Sequence, residues 1–353
     1  MLLESQSSRR IATLMFAYYV HDLNPFIFSF DVDVDFLFIH IHGPIGPRWY
    51  GLAYVLAFAC SYALFRLLAK RGYADLPVVK VGDFITGAAL FGVIVGGRLG
   101  YVFFYKPQML REPMSILRVW EGGMSSHGGM LGLLAFTFYY AWRHKVSWMN
   151  LADNLVVTAP LGLFFGRCAN FINGELYGRI INEPTYKRFL DGNTSVDLQK
   201  ITKLPWAMQF PKELLDVPAV ANLKEIHQKI VDTATQTCGR ADILKCPKLG
   251  SILPPRHPSQ LYEAFFEGIV LFAILWLVRT RMRQPNGVLA GLFFICYAIF
   301  RIIVENFREP DASLIAGFTR GQFFSFFLIA IGLAYVIAAK LRPTFPKKMA
   351  ARD

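Results

Sequence analysis

The sequence predicts an all-α integral membrane protein with seven transmembrane helices and a long insert between helices four and five. Of its 353 residues, 54% are apolar and 15% aromatic, which is more than soluble proteins usually contain. Apolar runs of about 20 residues, the length that crosses a bilayer core, recur along the chain. Alternating strands of the kind that build a membrane barrel are not seen. A bundle of spanning helices is therefore the predicted architecture.

Seven apolar runs are long enough to span. They cover 49–70, 83–105, 124–142, 151–173, 258–279, 287–306 and 322–341. Glycine is frequent in the second and third, which favours close helix packing in lipid. The predicted organisation is an N-terminal segment (1–48), helices one to four (49–173), an insert or head region (174–257), helices five to seven (258–341) and a tail (342–353).

The first 48 residues predict a retained segment at the membrane interface. Arg9-Arg10 followed by the apolar run Ile11–Val20 imitates a signal peptide, which is the alternative. That run is short and no small-residue cleavage pattern follows it. Further on, Asp31, Asp33 and Asp35 alternate with apolar residues, which indicates a short strand or an amphipathic surface stretch.

Basic residues predict the orientation, because short cytoplasmic loops are enriched in Lys and Arg. They follow spans one, three and five and recur in the tail. The N-terminus and the insert are then outside and the C-terminus is cytoplasmic. The net charge of +12 is explained in the same way, so no nucleic-acid partner is predicted. No metal site is predicted either, since isolated pairs such as His40 and His42 are usually structural.

This orientation places polar residues of six spans at one depth in the outer leaflet. They are Tyr50, Arg98, His127, Arg167, Glu263, Arg301 and Glu305. Guanidinium groups bind phosphate through a fixed fork of N–H donors, so a cavity for an anionic headgroup is predicted. The alternative is that each arginine pairs with a glutamate to lock helices together, as Arg301 and Glu305 could at i, i+4 spacing.

Two stretches concentrate the candidate chemistry. Gly166–Gly178 reads G-R-C-A-N-F-I-N-G-E-L-Y-G and follows directly on an apolar run. Polar and charged residues there need a partner, water or a ligand, because isolated charges are costly near hydrocarbon. His127 lies in Trp120–Gly132, W-E-G-G-M-S-S-H-G-G-M-L-G, and can exchange a proton near neutral pH. No oriented Ser–His–acid set accompanies it, which disfavours a serine nucleophile.

Two cysteines in the insert predict a disulfide. Seven residues separate Cys238 from Cys246, and Gly239 and Pro247 suit a compact turn. The predicted location outside the cytoplasmic membrane is oxidising. Two free thiols are the alternative, because spacing alone does not show that the side chains face each other.

Six motifs in order resemble the bacterial prolipoprotein diacylglyceryl transferases, over about residues 45–341. Besides the two stretches above they are I-G-P-R-W-Y-G (Ile45–Gly51), G-G-R-L-G-Y (Gly96–Tyr101), R-H-P-S-Q-L-Y-E (Arg256–Glu263) and Y-A-I-F-R-I-I-V-E-N-F-R-E-P-D (Tyr297–Asp311). One departure is Cys168-Ala169, where the family usually has a residue followed by glycine. The insert and the N-terminal segment also look longer than usual.

The resemblance implies an inner-membrane enzyme with seven helices and an outward-facing site. Its reaction moves a diacylglyceryl group from phosphatidylglycerol to the thiol of the lipobox cysteine in an exported prolipoprotein, releasing glycerol phosphate without metal or cofactor. Arg167 and Arg301 would hold the headgroup. The remaining residues that the resemblance or the polar layer brings to the site are Asn170, Asn173, Glu175, Gly178, Tyr50, Arg98, His127, Tyr297, Glu263 and Glu305.

The chemistry calls for a base, since a thiol with a pKa near 8.5 is mostly protonated at neutral pH and the thiolate attacks. His127 or a carboxylate could supply it, and the sequence does not decide between them. Two other classes compete with the transferase. A lipid or solute transporter should show repeats and broken helices near the midplane, which are not seen. An intramembrane protease would need a paired nucleophile, which is lacking.

Overall fold

The computed structural model describes residues 18–36, 39–118, 122–192, 195–216, 218, 220–240, 243–310 and 312–346. The segment that imitates a signal peptide lies almost wholly in residues 1–17, outside the described residues. The described chain is mainly helical, as predicted. It also contains two small two-stranded sheets, of which the sequence predicted only a short strand at the alternating aspartates.

Among the described residues, six helices are long and apolar enough to cross a membrane, which makes this a multi-pass membrane protein. They are α1 (Trp49–Lys70), α2 (Val78–Tyr105), α4 (Trp148–Asn173), α7 (Ser259–Arg281), α8 (Val288–Glu305) and α9 (Arg320–Leu341). Their ends lie within five residues of the predicted ones. The seventh predicted span, 124–142, corresponds to α3 (Ser126–His144), which is helical but not one of these six.

The chain divides into two compact bodies. The first comprises 1–53, 164–266 and 298–327, and the second comprises 54–163, 267–297 and 328–353. The first body holds the insert and the ends of several long helices, whereas the second holds most of the remaining apolar helical length.

In the first body, the insert 174–257 builds a core of its own. Two helices, α5 (Glu183–Leu190) and α6 (Ala221–Cys238), pack around Tyr186, Ile230 and Leu253, which are almost fully buried. Strand β1 (Tyr19–Val20) of the N-terminal segment pairs in parallel with strand β4 (Met208–Gln209) of the insert. The N-terminal segment is therefore tied to the insert by backbone hydrogen bonds.

The structure confirms two sequence predictions for this body. The alternating aspartates lie in strand β2 (Phe30–Phe36), which pairs antiparallel with β3 (Ile39–Ile45). Cys238 and Cys246 form a disulfide with their Cα atoms 5.7 Å apart. Helix α6 ends at Cys238, and Gly239 follows with φ of 77°, so the chain turns back within the short loop that the disulfide closes.

In the second body, an aromatic core joins α1, α2 and α3. The ring centroids of Phe65 and Phe84 lie 5.5 Å apart, and those of Phe84 and Tyr140 lie 5.1 Å apart. Further along, α2 and α3 approach so closely that a Cβ on Gly100 would lie 2.4 Å from the Cα of Gly128. Glycine is required at such a crossing because any side chain would push the backbones apart.

Candidate active site

A buried carboxylate, Glu263 in α7, joins three arginines of the first body. Its Oε2 lies 3.0 Å from Nε of Arg167 in α4, and its Oε1 lies 2.7 Å from Nη1 of Arg301 in α8. Arg308, just beyond α8, donates to the same Oε1 at 2.9 Å. An ionised carboxylate can be buried only when it is paired in this way. Glu263 therefore ties the ends of three helices together.

Glu305 contacts Arg301 from the next turn of α8, at 3.0 Å. Among the described residues, three guanidinium groups of this cluster thus contact the carboxylates of Glu263 and Glu305. Glu263 is fully buried and the side chain of Arg308 is 5% exposed, but those of Arg167 and Arg301 are 18% and 14% exposed. The predicted alternative, pairing of arginines with glutamates, is thus present, and Arg167 and Arg301 are the members that an anion can reach.

Tyr50, Asn170 and Glu175 form a second cluster in the first body. The Tyr50 hydroxyl donates to Oε1 of Glu175 and accepts from Nδ2 of Asn170. Asn170 also donates to the same Glu175 oxygen at 2.9 Å. Asn170 lies one helical turn after Arg167 in α4, so the two side chains share a face of that helix. The arginine cluster and this cluster are therefore adjacent along α4.

A tight turn brings Glu175 back to the helix end. α4 ends at Asn173, and Gly174 takes a left-handed conformation with φ of 65°, which favours glycine. Leu176, two residues after Gly174, also has a positive φ of 57°. Two side chains hold the turn, since Gln260 donates to the carbonyl of Glu175 at 2.6 Å and Ser259 to that of Leu176 at 3.0 Å.

Asn173, the last residue of α4, accepts a hydrogen bond at its carbonyl from Lys212 of the insert. Its side-chain Oδ1 is buried and has no hydrogen-bond partner among the described residues. Sequence reasoning assigned Asn173 to the lipid site. In the structure the backbone of this residue anchors the insert to the turn.

Gly178 lies where three segments meet. Its N–H donates to the carbonyl of His257 at 2.9 Å, and the next N–H, of Arg179, donates to the carbonyl of Phe307 at 2.8 Å. A Cβ at Gly178 would lie 2.3 Å from the first of these oxygens and 2.6 Å from the second. Only glycine fits this position without movement of the backbone.

A buried arginine, Arg256, supports Gly178 from the insert. It donates to the Gly178 carbonyl at 3.0 Å and to Glu213 at 2.7 Å, and it also contacts Glu309. Its guanidinium lies 4.6 Å from the centroid of the Tyr177 ring. Burial alone would lower the pKa of Arg256, but the two glutamates outweigh it and raise the pKa. The group stays charged and holds the turn.

The second body contains the other three candidates. His127 is exposed in the first turn of α3, where the Ser125 side chain caps the helix by accepting from the Gly128 N–H at 3.2 Å. Tyr297 stacks on Phe293 with ring centroids 5.9 Å apart. Arg98 is buried, and its guanidinium donates to backbone carbonyls.

Three supporting residues received no role from the sequence. Arg256 and Arg308 lie in two of the motifs that carry the family resemblance, but those motifs did not indicate what the two residues do. Glu213 lies in a polar stretch of the insert, and nothing in its neighbours indicates that it is fully buried. A charged residue of that kind is identified only when its partner from a distant segment is seen.

Comparison with known proteins gives one consistent result. The sequence model of the family described as prolipoprotein diacylglyceryl transferase matches residues 37–338. A phosphatidylglycerol–prolipoprotein diacylglyceryl transferase of Bdellovibrio bacteriovorus is 38% identical over 345 residues, covering 90% of this chain and 93% of its own. Proteins of the same name from Gluconacetobacter diazotrophicus (37% identical; 88% and 92% covered) and Neisseria meningitidis (38%; 82% and 91%) are similar to the same extent.

Proposed function

Since the chain belongs to the prolipoprotein diacylglyceryl transferase family, we propose that it transfers the diacylglyceryl group of phosphatidylglycerol to the lipobox cysteine of exported prolipoproteins. In this reaction a carbon–sulfur bond forms as the carbon–oxygen bond to the phosphate breaks. The product is a thioether, the thiol proton passes to a base, and glycerol phosphate leaves. The observation that carries the proposal is the arginine cluster on Glu263, in which the side chains of Arg167 and Arg301 remain partly exposed.

Arg167 and Arg301 bind the phosphate of the lipid headgroup in this proposal. The phosphate gains charge as its bond to the diacylglyceryl carbon breaks, so cationic groups stabilise the transition state more than the ground state. Glu263 and Glu305 keep the two arginines in place through the contacts described above. Both arginines are held before the substrate arrives, which lowers the cost of organising the site.

Tyr50, Asn170 and Glu175 bind the glycerol end of the headgroup, where hydroxyls need donors and acceptors. Gly178 and Asn173 hold the turn that carries Glu175. His127 is the proposed base that removes the thiol proton, and Tyr297 is the remaining residue that the family resemblance assigns to the reaction. The reaction as written needs no metal or cofactor.

The membrane arrangement is also part of the proposal. α3 joins the six strongly apolar helices as a seventh span, so the N-terminus lies outside and the C-terminus in the cytoplasm, in the inner membrane. The insert 174–257 is then an extracytoplasmic head, and residues 1–48 lie at its membrane interface. The Lys and Arg distribution supports this orientation. A topology reporter fused after residue 145 should indicate a cytoplasmic location. The same reporter fused after residue 240 should indicate an extracytoplasmic location.

The decisive experiment uses purified protein, phosphatidylglycerol and a synthetic lipobox peptide. The transferase produces a peptide whose cysteine carries a diacylglyceryl thioether, seen as the corresponding mass increase, together with glycerol phosphate. A peptide with serine in place of that cysteine is the control and should gain no mass. Movement of lipid without a modified peptide would indicate a transporter, and cleavage of the peptide would indicate a protease.

A further inference from the structure

Arg98 lies in α2 and contacts the segment that connects α2 to α3. Within the part of the chain that the structure describes, its five hydrogen bonds all go to backbone carbonyls of that segment. Nε donates to Ile116 at 2.8 Å, Nη1 to Gly122 and to Gly123 at 3.0 Å, and Nη2 to Ser115 at 2.7 Å and to Arg118 at 3.1 Å. A guanidinium carries five N–H donors, so each one is used.

These contacts are incompatible with the headgroup role that the sequence suggested for Arg98. The residue is 5% exposed. Bidentate binding of a phosphate needs two parallel N–H groups. Two carbonyl contacts would have to break first, and carbonyl groups that lose their donors inside a protein are costly. Arg167 and Arg301, in contrast, are paired through carboxylates and remain partly exposed.

The same part of α2 also fixes the beginning of α3. The carbonyl of Gly97 accepts from the Ser125 N–H at 2.9 Å, and the Ser125 side chain accepts from the Gly128 N–H at 3.2 Å. Gly128 packs directly on Gly100. His127 lies between Ser125 and Gly128, so its backbone is set by α2 on both sides. Arg98 holds the chain immediately before this turn.

We propose that Arg98 is a positioning residue, which fixes residues 115–118 and 122–123 and through them the location of His127, and that it does not bind the lipid phosphate. This inference rests on the proposed function of His127. Lysine cannot replace Arg98, because three donors on a single nitrogen cannot reach five carbonyls spread over nine residues.

Arg98→Lys in the full-length protein tests the proposal by transfer kinetics. We expect the turnover number to fall about 10²-fold, the loss typical of a misplaced catalytic group. The KM for phosphatidylglycerol and the inhibition constant of glycerol phosphate should each change by less than about twofold. This is much less than the tenfold change in affinity that corresponds to about 1.4 kcal/mol of binding free energy. A raised KM and weaker inhibition with turnover retained would overturn the proposal.

A double variant separates positioning from a general structural effect. If Arg98 acts through His127, Arg98→Lys should cause no further loss of turnover when it is added to His127→Asn, because residues that act as a unit are not additive. Losses that multiply would show that Arg98 acts independently of His127 and would contradict the inference.

If Arg98→Lys fails to fold, a matched pair of variants at two neighbouring glycines tests the proposal with Arg98 itself unchanged. Gly122 and Gly123 have φ of 84° and 80°, so alanine strains both. A Cβ on Gly123 would lie 2.9 Å from Nη1 of Arg98 and 2.5 Å from the Tyr101 ring, whereas one on Gly122 meets nothing within 4 Å. We expect Gly123→Ala to lose far more turnover than Gly122→Ala. Equal losses would count against the proposal.

A measurement without turnover tests the contact itself. Arg118 is exposed, and its carbonyl is bound by Arg98, so the peptide bond after it should resist trypsin in the folded protein. Arg98→Lys should speed cleavage after Arg118, and unchanged cleavage would overturn the proposal. Absence of transfer by the unmodified protein would instead overturn the proposed function, and with it the catalytic part of this inference, while the cleavage rates would still decide whether Arg98 holds the segment.

Discussion

Glu263 shows how one residue can keep a charged site folded inside a membrane protein. Its two oxygens contact Arg167 of α4, Arg301 of α8 and Arg308 just beyond the end of α8. Removing one arginine leaves the carboxylate paired with the other two, whereas removing the carboxylate takes a counter-charge from all three arginines at once. The cluster should therefore tolerate loss of an arginine structurally much better than loss of Glu263.

Arg167→Ala should abolish most transfer and leave the protein folded. Loss of one charged donor to the departing phosphate is expected to lower the turnover number about 10²–10³-fold. Arg167→Lys should recover only part of it, because the fork geometry is lost. Transfer to a lipobox peptide measures activity, and elution from a sizing column measures folding. Near-normal turnover by folded Arg167→Ala would contradict the headgroup assignment.

His127→Asn should lose turnover and keep its affinity for lipid. A general base contributes about 10²–10⁴-fold, and asparagine cannot accept the thiol proton. Phosphatidylglycerol binding, measured by calorimetry in detergent, should stay within about twofold of the unmodified protein, a change in binding free energy well under 1.4 kcal/mol. Collapse of lipid binding with turnover preserved at saturation would show that His127 is not the base and would favour a carboxylate.

At the scale of an element, the turn after α4 depends on support from two other segments. The backbone of Gly178 pairs with the segments around His257 and Phe307, and Arg256 holds its carbonyl. This arrangement places Glu175 beside Asn170 and Tyr50. The geometry of the candidate site is therefore a property of three chain segments that are distant in sequence.

Two glycines of the same motif should respond differently to alanine. At Gly178 a Cβ would meet two carbonyl oxygens at 2.3 and 2.6 Å, whereas at Gly166, inside α4, it meets nothing within 4 Å. We expect Gly178→Ala to lower both thermal stability and transfer, because the backbone must move. Gly166→Ala should keep both, since alanine is the better helix former. Similar behaviour of the two variants would contradict the steric account of Gly178.

At the scale of the whole molecule, the insert is a small domain-like core attached to a membrane protein. It has its own buried residues, a disulfide, and a strand contributed by the N-terminal segment. Lys212 and Arg256 of the insert contact the turn that carries Glu175. The insert thus supports this turn.

The double variant Cys238→Ser, Cys246→Ser should be less stable and remain active. A disulfide that closes so short a loop is expected to contribute roughly 2–3 kcal/mol to the free energy of unfolding. Thermal unfolding in detergent, with and without reductant, measures this, and reductant should have no effect on the double variant. Alkylation of both thiols in unreduced membranes, or loss of transfer by the double variant, would contradict the prediction.

The sequence alone determined those features that depend on neighbours along the chain. Apolar runs of about 20 residues identified the six strongly apolar helices, with their ends to within five residues. They do so because a segment in lipid must satisfy its own backbone hydrogen bonds, which a helix does. The motif around Arg167 and Asn170 indicated the site for a similar reason, since polar residues that follow an apolar run need partners. The spacing of Cys238 and Cys246 predicted a disulfide, and the structure shows that the two side chains face each other.

Only the tertiary structure decided which partner each charged group has. Glu263 and Arg98 were both predicted at the same depth and for the same lipid site. Glu263 contacts three arginines, whereas the five N–H groups of Arg98 donate to carbonyls of the segment that connects α2 to α3. The strand pairing of residues 19–20 with 208–209 was equally invisible in the sequence. Such choices depend on which distant segments approach each other, because a hydrogen bond or ion pair forms only within about 3 Å.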